Sequence, residues 1–215
     1  ARLLDLPALI IGPPKQWDDL DNALSELQDF QWLVFSSSNG VRAVEERLQK
    51  MSRSLLNTAK TLKIAAVGKK TAISLKKIGV VPDFVPPKFV ADSLVEHFPD
   101  TAKGLKILIP RVQTGGRTIL AESFEELGME VREVPAYEST CPDQIPEDTA
   151  NAFLNREVDA IAFTSGKTVA HTARLLHQRF GDQWHLYLHQ VKIISIGPQT
   201  SISCIKYLNR VDFEA

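Results

Sequence analysis

Five short clusters of hydroxyl, amide, glycine and basic residues mark this sequence of 215 residues. They are Ser36, Ser37, Ser38 and Asn39; Gly68, Lys69 and Lys70; Arg111, Gln113, Thr114, Gly115, Gly116 and Arg117; Thr164, Ser165, Gly166 and Lys167; and Gly197, Pro198, Gln199 and Thr200. None contains a carboxylate or a histidine. Backbone N–H groups, hydroxyls and a few cations together suit an anionic ligand. Tyr137 adds a phenol that can give a proton or a hydrogen bond. Each group also has a plainer reading. A Ser, Thr or Asn ahead of a helix is an N-cap worth about 1 kcal/mol, and a strand tyrosine packs in a core as readily as it faces a ligand. "RVQTGGRT" is neither GxxxxGK[ST] nor GxGxxG, so nucleotide binding is a minor alternative. Arg111 at a strand end reads as a ligand contact. Arg117 at a helix start, where the dipole repels a cation, reads equally as ligand or surface.

Histidine and metal chemistry have little support. His97, His171, His177, His185 and His189 keep neither HExxH spacing nor a Ser/His/Asp order, and Cys141 and Cys204 make no CxxC or Cys/His pattern. No metal or cofactor is expected.

The clusters follow short apolar runs. "WLVFSS" and "AIAFTS", "LKIAAVG" and "VKIISIG", and "GLKILIPR" (104–111) read as strands buried on both faces of a parallel sheet, each leading into a helix. The helices after Gly68 and Gly197 are expected to begin near Thr71 and Thr200, and "RTILAESFEELG" is an amphipathic helix with Gly128 at C′. The alternation predicts an α/β fold with parallel sheets.

The chain says much of this twice. At an offset of 128 or 129, "LDLPALI" (4–10) matches "REVPAYE" (132–138), "WLVFSSSNGVRAV" matches "AIAFTSGKTVAHT", "KIAAVGKKTAISL" matches "KIISIGPQTSISC", and "VPDFVP" matches "RVDFEA". Four blocks in one order imply two similar domains. The proline-bearing segments 6–14 and 134–146 are repeat-equivalent and read as two crossings between them. That predicts a continuous α/β domain over 12–137, and a second domain split between 1–11 and 138–215, with a small-ligand cleft between the two. The second copy lacks matches for the strand and helix of 104–128 and for the helix after "VPDFVPP". A strand and helix before residue 1, and a helix after residue 215, are therefore expected.

Bulk composition fits this picture. With 44% hydrophobic and 24% charged residues the chain has the make-up of a folded globular protein. Its 25 Lys and Arg against 26 Asp and Glu leave a formal charge of −1, which supplies no overall footprint for nucleic acid or anionic membrane. No apolar run is long enough to cross a bilayer and "ARLLDLPALII" is unlike a signal peptide, so a cytoplasmic protein is expected.

At "WLVFSSSNGVRAV", "AAVGKKTAISLKKIG", "ILIPRVQTGGRTILAESFEELGMEVREVPAYES", "IAFTSGKTV" and "ISIGPQTS" the chain resembles the uroporphyrinogen-III synthase family, in family order and over most of its length. The resemblance implies two flavodoxin-like α/β domains joined by two strands, with the active site in the interdomain cleft. It implies a cofactor-independent cyclisation and dehydration of hydroxymethylbilane, a linear tetrapyrrole, with inversion of the last pyrrole. Tyr137 is then the proton donor. Ser165 and Thr200 match family cleft positions, faced by Ser37 and Arg111; with the other strand-end residues Ser36, Asn39, Gly68, Lys69, Gly115, Arg117, Thr164, Lys167, Pro198 and Gln199 they are expected to hold the substrate's carboxylates. A monomer in the cytoplasm, or in the plastid stroma of a plant, is the implied setting. The rival reading is a two-lobed binding or sensor protein for an anionic small molecule.

Overall fold

The computed structural model describes residues 2–58, 62–115 and 119–215. In chain order the elements are β1 (Ile10–Gly12), α1 (Asp18–Ser25), β2 (Trp32–Phe35), α2 (Ser38–Lys50), α3 (Leu55–Thr58), β3 (Lys63–Ala66), α4 (Lys69–Lys77), α5 (Ala91–Glu96), β4 (Lys106–Val112), α6 (Ile119–Glu126), β5 (Glu130–Thr140), α7 (Glu147–Leu154), β6 (Ala160–Phe163), α8 (Gly166–Phe180), β7 (Lys192–Ser195), α9 (Pro198–Leu208) and β8 (Phe213–Glu214). The fold is mixed α/β. Among the described residues, no helix is long and apolar enough to cross a membrane.

The chain forms two compact units, Ile11–Ser139 (the middle unit) and Ala1–Ile10 with Thr140–Ala215 (the split unit). In the middle unit the strand order is β1-β5-β4-β2-β3. β2 runs parallel to β3 and to β4, and β4 parallel to β5, so these strands end on one edge. Their side chains alternate between two cores. Leu33, Phe35, Ile64, Ala66 and Leu108 pack on one face, while Trp32, Val34, Ala65, Ile107 and Ile109 pack on the other. A strand buried on both faces needs an unbroken apolar run, which explains "WLVF" in β2 and "ILI" (107–109) in β4.

The split unit has the order β6-β7-β8, all parallel. Its described core gathers Phe163, Val169, Leu175, Leu176, Ile193 and Cys204. The repeat reappears in detailed bonding. The Asp83 carboxylate accepts the Ile64 N–H at 2.7 Å, and the Asp212 carboxylate accepts that of Ile193 at 2.7 Å. Phe84 bridges Ala65, and its match Phe213 pairs with Ile194.

Helix starts differ from expectation by two residues. α4 begins at Lys69 and α9 at Pro198, with Gly68 and Gly197 themselves in the N-cap position. Pro198 suits the first turn because its missing N–H would have no helical partner. α6 closes as expected: Gly128 has φ +85°. Its N–H reaches Glu125 O at 2.9 Å, and that of Met129 reaches Phe124 O at 3.1 Å, the pair of bonds that ends a helix on a left-handed glycine.

Candidate functional site

In the middle unit, β2 runs into Ser36, which is exposed, and Ser37, which is half-buried. Ser37 is the N-cap of α2, in an extended conformation, and its Oγ accepts the Gly40 N–H at 3.1 Å. Asn39 follows in the first turn, half-buried. From β3 the chain passes through Gly68 into the exposed Lys69 at the start of α4. A lysine there is disfavoured by the helix dipole, so an anion nearby would relieve it. β4 ends in Arg111 and Val112, followed by Gln113, Thr114 and Gly115, the last at φ +74°. Arg117 lies outside the described residues.

Tyr137 sits near the end of β5, half-buried. Opposite it the ladder slips: Arg111 faces Pro135 but Val112 faces Tyr137, so Ala136 is extra. Such a bulge re-aims the side chain beside it, and Pro135 has no N–H to lose from the ladder. The Tyr137 carbonyl is fixed by the Gln113 N–H at 2.8 Å. The phenol oxygen then lies 3.0 Å from Ser37 Oγ. Two residues one hundred positions apart are thereby joined across the end of β4, which separates their strands.

Two carboxylates of β5, outside the five clusters, reach residues of one of them. The Glu133 side chain pairs with the Arg111 guanidinium. Glu138, buried at the end of β5, accepts the Thr114 hydroxyl and, at 2.7 Å, the Ser139 N–H. Both pairings depend on the β4–β5 register, which no local pattern announces.

In the split unit, Ser165 caps α8, its Oγ accepting the Thr168 N–H at 3.3 Å. The Thr168 hydroxyl returns to Ser165 O at 2.7 Å. Thr164 is exposed and Lys167 half-buried in the first turn of α8. Pro198 and Gln199 are exposed at the start of α9. Thr200 is buried in that turn, its N–H bonded to Gly197 O at 3.0 Å. A groove of about 590 Å³ runs along β6, lined by Ala160, Ala162, Ile194, Phe153 and Leu4. Of the expected site residues it holds only Thr164, and its apolar wall is no anion site.

Burial pushes the Cys141 and Cys204 thiols up from their ordinary range, which keeps both as unreactive thiols at neutral pH.

Parallel α/β sheets with capped helices and a phenol at the strand ends place the chain in a recognisable class of fold. A solved structure of uroporphyrinogen-III synthetase from Helicobacter pylori is similar at a TM-score of 0.64 and 18% identity, over 97% of this chain and 84% of that one. A mutant uroporphyrinogen III synthase from Thermus thermophilus matches at a TM-score of 0.61 and 20% identity, over 97% and 81%. Sequence likeness is closer. Residues 1–215 match the family model described as HEM4, uroporphyrinogen-III synthase HemD. The uroporphyrinogen-III synthase of Synechococcus elongatus is 44% identical over 215 residues, all of this chain and 81% of that protein. A putative uroporphyrinogen-III synthase of Methanocaldococcus jannaschii is 28% identical over 179 residues, covering 81% and 69%. The chain belongs to the uroporphyrinogen-III synthase family, cyclising hydro-lyases of tetrapyrrole biosynthesis.

Proposed function

We propose that the chain catalyses the family's reaction through Tyr137. The proton of the Tyr137 phenol passes to the hydroxymethyl oxygen of hydroxymethylbilane. The C–O bond breaks, its electron pair leaving with the oxygen as water, and the pyrrole nitrogen supplies electrons to form the azafulvene cation. The last pyrrole attacks through the carbon that already carries its bridge, giving a spiro intermediate. The older bridge bond then breaks to release a second azafulvene cation, the free α-carbon of the inverted pyrrole attacks that cation, and the proton this carbon loses on rearomatisation returns to the phenolate. Substrate is consumed and product and water are formed, with no net change at the enzyme.

Because hydroxymethylbilane loses its hydroxyl readily and closes without inversion unaided, the protein's task is mainly orientation. Acetate and propionate groups on every pyrrole give it handles. The N–H groups at the start of α2, those and the hydroxyls at the start of α8, and Lys69, Lys167, Gln199 and Arg111 are matched to them in charge and hydrogen bonding. We read the two units as flavodoxin-like domains, on the strength of the repeat and of the family resemblance.

The observation that carries the reading is the phenol of Tyr137 held at a strand end, 3.0 Å from a helix-cap hydroxyl. A phenol O–H so placed can act as a general acid. Incubation with hydroxymethylbilane and separation of type I and type III products tests it. Wild type yields type III, and Tyr137→Phe lowers its rate at least about tenfold. Near-normal turnover by a folded Tyr137→Phe protein removes Tyr137 as the acid, and type I product alone from the wild type removes the activity.

A further inference from the structure

We propose that Ser37 is a positioning residue for Tyr137, donating its hydroxyl proton to the phenol oxygen so that the phenol's own proton stays available. This deepens the reading above and rests on it. Ser37 stood among the expected carboxylate-binding residues; its bonding assigns it to the phenol.

A serine hydroxyl has one proton and two lone pairs. One lone pair of Ser37 Oγ takes the Gly40 N–H, one of the first-turn donors that a helix leaves without a partner. The phenol oxygen stands 3.0 Å away on another side. Were the phenol the donor, its proton would be spent on Ser37. The amide of Gly40, at the positive end of α2, draws electron density from Oγ and makes the hydroxyl a better donor and a poorer acceptor. The three donors then align outward, from Gly40 N–H to Ser37 O–H to Tyr137 O–H, each strengthening the next. As the phenol proton departs, charge builds on an oxygen already facing a preorganised donor.

The surroundings fit this geometry. The start of α2 lies against the end of β4: a β-carbon at Gly40 would be in van der Waals contact with Pro110 O at 3.4 Å and with Ser37 Oγ at 3.6 Å. The other copy acts as an internal control. Ser165 caps α8 in the same way, but the residue matching Tyr137 is Leu9, and the second neighbour of Ser165 Oγ is Thr168 Oγ1 at 3.3 Å. Capping is common to both units, and the phenol contact belongs to one.

Three variants of the full chain separate the roles, read by thermal melting, the product assay and NMR of the protein labelled at tyrosine Cζ. Ser37→Asp caps a helix as well as serine does, but a carboxylate only accepts and so captures the phenol proton. It should melt like the wild type, lose type III formation by about tenfold or more, and move the Tyr137 resonance while Tyr187 and Tyr207 stay in place. Ser37→Thr, which keeps the hydroxyl, should recover both rate and resonance, and Ser37→Ala should lose both. A Ser37→Asp protein with the wild-type resonance and rate overturns the proposal and leaves Ser37 a helix cap. An unmoved resonance beside an inactive Tyr137→Phe protein overturns the role of Ser37 while the acid assignment stands. A moved resonance beside a fully active Tyr137→Phe protein overturns the acid assignment, and with it the catalytic purpose of the contact.

Discussion

β2 and β6 occupy matching places in the repeat, "WLVF" and "AIAF", yet they have different surroundings. All four residues of β2 are buried, whereas Ala160 and Ala162 of β6 are exposed and Ile161 is half-buried. β2 lies between β4 and β3 with a core on each face. β6 pairs with β7 on one side and, among the described residues, borders the apolar groove on the other. Among the described residues, the same local pattern therefore lies between two strands in one unit and beside a single strand in the other. Neighbours, more than the strand's own sequence, decide burial. Amide hydrogen exchange sharpens this contrast most. In β6 the N–H groups on the open side should exchange at least about a hundredfold faster than any in β2. Equal protection would mean the β6 edge is covered in solution.

The helices after these strands differ in closeness rather than in sequence class. A β-carbon on Gly166 would stand 2.2 Å from Ser203 Oγ and 3.1 Å from Ser203 Cβ, so glycine lets α8 and α9 approach. The residue matching Gly166 in the middle unit is Ser38, and the one matching Ser203 is Ser74. Gly166→Ala should destabilise the protein by about 3 kcal/mol, the upper end of the cost of overpacking. Ser38→Ala should stay within about 0.5 kcal/mol. Chemical denaturation of both variants checks the pair, and equal losses would show that the two helix contacts are alike.

A shared feature predicts equal effects instead. Asp83 and Asp212 each hold the first buried residue of a strand by a 2.7 Å bond to its N–H. Removing either carboxylate leaves that N–H short of a charge-assisted bond worth about 2 kcal/mol. Asp83→Ala and Asp212→Ala should therefore cost the same within about 1 kcal/mol, the margin set by the partly exposed Arg210 that also pairs with Asp212 at 3.5 Å. A large inequality would place one of the bonds in a weaker or wetter setting than its twin.

These comparisons also show where sequence was informative. The strands were readable because burial on both faces forces unbroken apolar runs, and the repeat brought Ser37 and Ser165 to one structural role. The meeting of Ser37 with Tyr137 was not readable. It depends on β5 lying two places from β2 and on the slip at Ala136, and neither leaves a mark in the nearby residues. The same holds for Glu138 with Thr114 and for Glu133 with Arg111. Thr200 shows the opposite limit: a hydroxyl early in a helix looks the same on paper whether it faces solvent or, as here, the core.

The smallest predicted effect concerns three positions that changed together. Ala66, Ala72 and Val85 of the middle unit pack in an apolar core; their matches are Ser195, Ser201 and Glu214. Ser195 Oγ lies 2.6 Å from Ser201 Oγ, and the Ser201 hydroxyl donates to the Glu214 carboxylate. With the Ser201 proton given to Glu214, Ser195 must donate to Ser201, so the three form one directed chain. Ser195 is fully buried and Ser201 nearly so, which makes each dependent on the others for satisfaction. Ser201→Ala should cost about 1 kcal/mol, chiefly by leaving the Ser195 hydroxyl without an acceptor. The triple change Ser195→Ala, Ser201→Ala and Glu214→Val, which restores the residues of the middle unit, should cost less than the single one, because no buried polar group remains unpaired. If the triple variant is less stable than Ser201→Ala by denaturation, the chain is a net source of stability for the split unit rather than a self-satisfying replacement for an apolar contact.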